Sequence, residues 1–383
     1  MGMSPRAAEL LRVVHESPGT TRADAARAIG IGTGAATEVV AQLAAAELVG
    51  ERPAQRTGGR GRPTTVLVPH ERGPLVLAVS ITHEAWLLQA VEIGGAVVAG
   101  AGSAETGSGD DDADGAGRDA PVVLADIRAA VTRLRRRFPR RVRAIGVAAP
   151  GTVAGTTVGH ATGRSWRNLD LRAIWPRAEF FVAGNDATLA AAAESSRGAA
   201  VGAEVALHIR LQAGVGGAVV DRGRVLTGAH GFGGEFGHVP LGDPAVTCPC
   251  GASGCWGTAV DGSALARLLG RREPRDPVAF LDRAASAAST DARTRAAVGA
   301  VVDALGRGVA GFVNAIDPDV VTLGGSAVPL MRAEPQRLAA AYDAGLMRVR
   351  RDAPPMLLPA ALGEQGPVTG AAELAWQAVW AHL

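Results

Sequence analysis

Lysine is absent: all 39 basic residues of the chain are arginine, and 37 acidic residues leave a formal net charge of only +2. Such a balance gives no bulk attraction to a polyanion, so any nucleic-acid signal has to be local. Cysteine is scarce as well. Its three copies, Cys248, Cys250 and Cys255, fall within eight residues, an odd and clustered set that argues against a disulfide framework and for a metal site. No apolar run reaches the ~20 residues needed to cross a bilayer, and the opening MGMSPRAAELLRVVHE lacks the apolar core of a secretion signal. The expectation is a cytoplasmic chain with no membrane partner. What remains is an ordinary globular composition, 47% hydrophobic and 20% charged over 383 residues, enough for two or three domains.

Three short helical patterns occupy the first fifty residues: 7–15, 22–29 and 34–46. Ser17-Pro18-Gly19-Thr20 stops the first, Thr21 is placed to cap the second, and Gly30-Ile31-Gly32 turns into the third with Thr33 as its expected cap. Two helices joined by a glycine-containing turn are what a helix-turn-helix requires. The third would be the recognition helix, with Thr33, Thr37, Glu38 and Gln42 as its polar contacts to base edges. Next comes ERPAQRTGGRGRP, carrying Arg52, Arg56, Arg60 and Arg62, and a short strand from about Thr64. This is the layout of a β-hairpin wing. Its Arg60-Gly61-Arg62 core suits a narrow A·T-rich minor groove, while a solvated basic turn is the alternative.

From Leu75 onward, strands alternate with helices, the signature of an α/β fold, and the pattern occurs twice. Paired strands are expected over 75–98, with Gly94-Gly95 as a turn. Residues 102–120, glycine- and aspartate-rich, read as a disordered surface loop. Further helices are expected at 122–137, 186–197, 263–269, 277–287, 294–316 and from about 370.

The cysteines stand as Cys248-Pro249-Cys250-Gly251-Ala252-Ser253-Gly254-Cys255, with glycines that let the backbone wrap a small ion. Zinc takes four such ligands in a closed tetrahedron, and His238, ten residues upstream, is the candidate fourth. A Cys3His set of this kind is structural. Buried free thiols are the alternative.

Here the chain resembles the ROK group of repressors, open reading frames and kinases. The matching motifs are Gly234-Glu235-Phe236-Gly237-His238 and the cysteine loop, together with Ala149-Pro150-Gly151, Gly184-Asn185-Asp186-Ala187, Asn314-Ala315-Ile316-Asp317-Pro318 and Leu323-Gly324-Gly325. The resemblance implies a winged helix-turn-helix over 1–72. A two-lobed, actin-like ATPase domain of the hexokinase type follows. Its first lobe spans 73–183, completed by a C-terminal helix within 363–383, and its second spans 184–362. It also implies ligand contacts from Asn185, Asp186 and Glu235, with Asp186 matching the base of the family's kinases. Being a family that dimerises, it implies a homodimer or homotetramer on double-stranded operator DNA. The departures are equally specific. Ser80-Ile81-Thr82-His83-Glu84 stands where the kinases carry a D-x-G-G-T turn, and Gln212-Ala213 replaces the first glycine and threonine of G-T-G-x-G-x-G. Phosphoryl transfer relies on these parts for positioning and charge stabilisation, so neither ATP nor catalysis is expected. Gly257 replaces an expected glutamate, and Gly163 an asparagine, with Arg164 beside it as a candidate contact for a sugar or sugar phosphate. The sum is a regulator, read as a repressor; a sugar kinase with an N-terminal appendage and a ligand-independent DNA-binding protein are the alternatives.

Overall fold

The computed structural model describes residues 3–54, 65–82, 85–104, 119–160 and 166–382. Helix α1 (Pro5–Glu16) starts with Ser4 accepting from the Ala7 amide and proline in its first turn. Helix α2 (Arg22–Ala28) is capped by Thr21, as its sequence implied. Helix α3 (Thr33–Ala45) differs from expectation: its N-cap is Gly32, no side chain caps it, and Thr33 is already helical. The α2 and α3 axes meet at 107° across four residues, within the range of a helix-turn-helix. Strands β1 (Val49–Pro53) and β2 (Thr65–Pro69) pair antiparallel, with Pro53 opposite Thr65. Residues 55–64 between them, Arg56, Arg60 and Arg62 included, lie outside the described residues.

The first lobe is built on β3 (Leu75–Ile81), β4 (Ala85–Glu92) and β5 (Val97–Ala104), followed by α4 (Ala120–Arg137) and β6 (Val142–Ala149). The glycine- and aspartate-rich tract is thus shorter than its composition suggested, since β5 runs to Ala104 and α4 begins at Ala120; its centre, 105–118, lies outside the described residues. A small sheet of β7 (Thr152–Ala154), β8 (Thr157–His160) and β9 (Arg167–Asp170) precedes β10 (Phe180–Asn185), which runs directly into α5 (Asp186–Arg197). The second lobe comprises β11 (Val205–Leu211), β12 (Val215–Asp221) and β13 (Arg224–Val225), then helices α6 (Gly257–Val260), α7 (Gly262–Leu268), α8 (Pro277–Ala287) and α9 (Ala292–Ile316). Strand β14 (Val320–Gly325), helices α10 (Ala327–Ala333), α11 (Pro335–Gly345) and α12 (Arg348–Arg351), and β15 (Met356–Pro359) complete it before the closing α13 (Gly366–Trp380).

The two large sheets repeat one plan. Their orders are β5-β4-β3-β6-β10 and β13-β12-β11-β14-β15, each with two antiparallel neighbours on one side of the first strand and two parallel strands on the other. This duplicated five-stranded plan is the two-lobed, actin-like architecture that the motifs implied. Helix α9 is long and apolar enough to span a bilayer, but two thirds of its most apolar window is buried against β11, β12 and β14. It is a core helix.

Two helices join the lobes. Helix α13 covers the β3–β6 face, and α5 leans on it while packing alanines against the second sheet. Their approach is limited by backbone, not side chains: a Cβ on Gly370 would fall 2.0 Å from the Leu189 carbonyl oxygen, and one on Gly146 would fall 1.9 Å from that of Ala371. The N-terminal helices pack onto the same face. Leu10, Leu11 and Val14 of α1 share one buried core with Val91 of β4, Ile93 just beyond it and Trp376 of α13. Apolar burial therefore fixes the N-terminal helices to the two-lobed domain.

Replacing Gly370 with alanine puts a methyl into that backbone contact and is expected to cost about 3 kcal/mol, the upper range of an overpacked core. A denaturant titration measures it; an unchanged midpoint would contradict a backbone-limited crossing.

Candidate functional site

The first turn of α5 is placed between the two large sheets, because β10 runs straight into it and the helix packs on β11 and β12. Asn185 is the N-cap: its Oδ1 accepts from the Thr188 amide at 3.0 Å, and its Nδ2 donates to the Gly151 carbonyl at 2.9 Å. Both ends of this predicted ligand residue are thus engaged in holding the α5 terminus against the Ala149-Pro150-Gly151 turn. Asp186 takes the Ala187 amide at 2.9 Å. Burial pushes its carboxyl above the usual range, partly opposed by the Arg210 guanidinium.

Glu235 sits ahead of the short helical turn Phe236–His238. Gly234 precedes it at φ +93°, where a Cβ would lie 2.1 Å from the Gly217 carbonyl oxygen, so glycine is what lets this segment press on β12. Burial raises the Glu235 carboxyl; His238 opposes the rise and the Asp186 charge adds to it. The Asp186 charge thus reaches Glu235. His238 faces two ways: Nε2 lies 3.7 Å from Glu235 Oε2, and Nδ1 lies 3.8 Å from Cys248 Sγ.

Behind that histidine, the side-chain donors of His238, Cys248, Cys250 and Cys255 all fall within 4.8 Å of one another. Cys250 and Cys255 sulfurs are 3.6 Å apart. A tetrahedral ion with metal–sulfur bonds of ~2.3 Å and a metal–nitrogen bond of ~2.0 Å has donor–donor edges of about 3.7 Å, so the cluster fits one. The loop is shaped by its backbone: Cys248 N–H donates to Ala252, Gly251 N–H to Cys248, and Gly251 and Gly254 adopt φ of +94° and +74°. Burial pushes the Cys255 thiol up to about 12 and raises Cys248, whereas the Ala252 backbone lowers Cys250. Only a bound cation would hold all three as thiolates.

The positions that depart from a phosphate-handling pattern have new occupants. Ser80 is buried at the end of β3. Arg210, which the sequence reading passed over, lies buried on β11 with Nη2 donating to Glu364 Oε2 at 2.7 Å and Nη1 to the Gly363 carbonyl at 3.3 Å; Gln212 Nε2 reaches the same carboxylate at 3.5 Å. A polar link thus connects the second sheet to the chain leading into α13. The signal for it was a charged residue at an inward position of the apolar run VALHIRL. At Gly257, a Cβ would meet nothing closer than 3.4 Å, so there is room where a longer side chain was expected. Gly163, Arg164, His83 and Glu84 lie outside the described residues.

On the reader, Thr33, Thr37, Glu38 and Gln42 are all exposed on α3. Thr37 Oγ1 donates to the Thr33 carbonyl and accepts from Arg22 Nη1 at 3.2 Å, while Arg22 Nη2 pairs with Glu51 Oε1 at 2.6 Å. Arg22, absent from the predicted set, ties α2, α3 and the wing strand β1 together and presents a guanidinium beside the recognition helix.

Because burial favours the protonated form of Asp186, its folded-state pKa exceeds the unfolded one, and its charge destabilises the fold above that pKa. Asp186→Asn is therefore expected to raise the unfolding midpoint at pH 7, with the gain shrinking as pH falls through the carboxylate range. Loss of stability at pH 7 would contradict the direction.

The family model described as "ROK family" matches residues 90–378. A glucokinase of Halalkalibacterium halodurans is 31% identical over 199 residues, 47% of this chain and 60% of that protein, so the chain spans about three fifths of that relative's length. A kanosamine kinase of Amycolatopsis mediterranei is 32% identical over 275 residues, 68% of this chain and 86% of its own. The xylose repressor of Bacillus subtilis is 26% identical over 232 residues, 59% of each chain. Among solved structures, a ROK family transcriptional regulator described as a homolog of the E. coli MLC protein superposes with a TM-score of 0.73 at 22% identity, covering 98% of this chain and 96% of its own. A ROK family glucokinase from Streptomyces griseus, solved with glucose and AMPPNP, gives 0.65 at 24% identity over 79% of this chain and 99% of its own. On the matched span, the repeated sheet plan and the cysteine loop together, the chain belongs to the ROK family.

Proposed function

We propose that the chain is a transcriptional regulator, read as a repressor, whose kinase-like domain binds a sugar or sugar phosphate without phosphorylating it. One observation carries the reading: a helix-turn-helix with a hairpin wing is docked onto a two-lobed domain in which an Arg210–Glu364 link stands at the phosphate-handling end of the cleft. The likeness to a ROK transcriptional regulator over 98% of the chain supports it, because the glucokinase structure covers only 79%. Working boundaries are 1–72 for the reader, 73–183 with 363–383 for the first lobe and 184–362 for the second.

In this reading, Thr33, Thr37, Glu38 and Gln42 face the major groove, with Arg22 added to them, and Arg56, Arg60 and Arg62 reach phosphate and the minor groove. Asn185, Asp186, Glu235, His238 and Arg164 surround the effector. Zinc held by His238, Cys248, Cys250 and Cys255 fixes the ring of His238, so that Nε2 is presented to the pocket; it is structural, and no ATP is required. The protein works in the cytoplasm as a homodimer or homotetramer on a two-fold operator. A sugar kinase is the second reading, favoured by the kanosamine kinase similarity and by the retained Asp186.

Metal analysis is expected to give one zinc per chain, falling well below one in Cys250→Ser together with thermal stability; a metal-free wild type of full stability would contradict the site. A gel-shift titration against the chain's own upstream DNA is expected to give saturable, competitor-resistant binding. Arg60→Ala/Arg62→Ala should weaken it at least tenfold and lower the slope of log K against log salt by about 2. ATP- and magnesium-dependent phosphorylation of any sugar in a panel would replace this reading with the kinase.

A further inference from the structure

Helix α5 touches two places that matter. Its first residue, Asp186, is in the candidate pocket, and its last, Arg197, lies about 16 Å away at 1.5 Å per residue, against the reader. There Arg197 Nε donates to Glu373 Oε1 on α13 at 2.5 Å, Nη2 to the carbonyl of His15 on α1 at 3.2 Å, and Nη1 to the Gly94 carbonyl at 3.3 Å. Gly94 N–H donates to His15 Nδ1 at 3.0 Å, so a neutral imidazole carries its proton on Nε2 and donates it to Glu373 Oε2 at 2.9 Å, with Arg197 Nη2 packed against the same nitrogen at 2.9 Å. The imidazole also lies against the stacked pair of Trp376 and Trp380, 5.7 and 5.5 Å from their rings. His15 is 3% exposed, and the Arg197 and Glu373 side chains 17% and 15%. The turn is fitted to the group: a Cβ on Gly95 would stand 3.0 Å from Arg197, and one on Gly94 3.3 Å from Pro18 of the reader.

Buried charged groups of this kind have few alternative arrangements, because any displacement leaves a charge or an imidazole nitrogen unsatisfied. Apolar contact between α1 and α13 tolerates sliding; a triad with directed hydrogen bonds from α1, α5, α13 and the β4–β5 turn does not. The α5–α13 crossing, limited by backbone at Gly370, gives α5 little freedom except to move along its axis or rotate. We infer that Arg197, Glu373 and His15 form a latch setting the reader's orientation on the sensor, and that α5 is the rod through which occupancy at Asp186 is reported to it. The rod's role rests on the regulator reading; the latch does not. Arg197 and Glu373 are positioning residues, acting through His15 on α1.

The test is a double-mutant cycle on the full chain, with Arg197→Gln, Asp186→Asn and the combination. Amide exchange of α1 and of the Gly94 N–H in the free protein is one readout, and the Kd for upstream DNA is the other. Arg197→Gln is expected to speed exchange at these amides at least tenfold. Asp186→Asn should change it by a smaller factor, and that change should vanish in the combined variant, in exchange and in Kd alike. Sites this far apart ordinarily act additively, so non-additivity is diagnostic. Additive effects, or α1 exchange unchanged in Arg197→Gln, would overturn the inference. Should Arg197→Gln fail to fold, Glu373→Gln keeps the side-chain shape and repeats the cycle. A wild type that binds no DNA would remove the regulator reading, while the exchange cycle still decides the latch and its link to Asp186.

Discussion

The crossing of α5 and α13 is a contact between backbones, and most of the molecule is arranged around it. Glycine at 370 lets α13 rest on the Leu189 carbonyl, and glycine at 146 lets the same helix lie on β6. Both helices then have assigned faces: α13 closes the first sheet, α5 closes the second, and the cleft opens where α5 begins. A side chain at Gly370 would push α13 away from α5, and one at Gly146 would lift α13 from β6. The reader depends on the same arrangement, since α1 packs on α13 and its His15 hydrogen-bonds to both α13 and the β4–β5 turn.

The pocket and the metal cluster share one histidine. With Nδ1 turned to the cysteines and Nε2 to Glu235, His238 has no freedom to serve the pocket unless the loop that holds it is set. In the proposed reading, an ion held by this cluster would also fix the ring that faces the ligand. Two residues before Gln212, the buried Arg210 pairs with Glu364, and both charges act on Asp186. The groups of the candidate pocket, two carboxylates and an imidazole, are those that recognise hydroxyls.

Where the sequence carried local punctuation, its structure was legible. Helix α5 was read to the residue because Asn185 caps it and Gly198 follows it, and α8 because Asp276-Pro277 opens it. The cysteine loop announced itself by spacing. Other parts left no local trace. The small sheet β7–β9 lies in a glycine- and threonine-rich stretch without alternation, and α10 is a seven-residue helix with Pro329 in its first turn. Thr33 looked like a cap, yet the chain enters α3 one residue earlier, at Gly32, which adopts extended backbone without needing a side chain. His15, Arg197 and Glu373 are separated by 182 and 176 residues, and no motif signals a contact made by tertiary packing alone.

If the chain reads DNA as a symmetric oligomer under the control of its kinase-like domain, as proposed, hydroxyl-radical footprinting of the upstream region will show two protected half-sites on one face of the duplex. They will be separated by about one helical turn (~34 Å) or a multiple, with minor-groove protection beside each. Uniform protection or none, at concentrations where the protein is folded and metal-loaded, would contradict it.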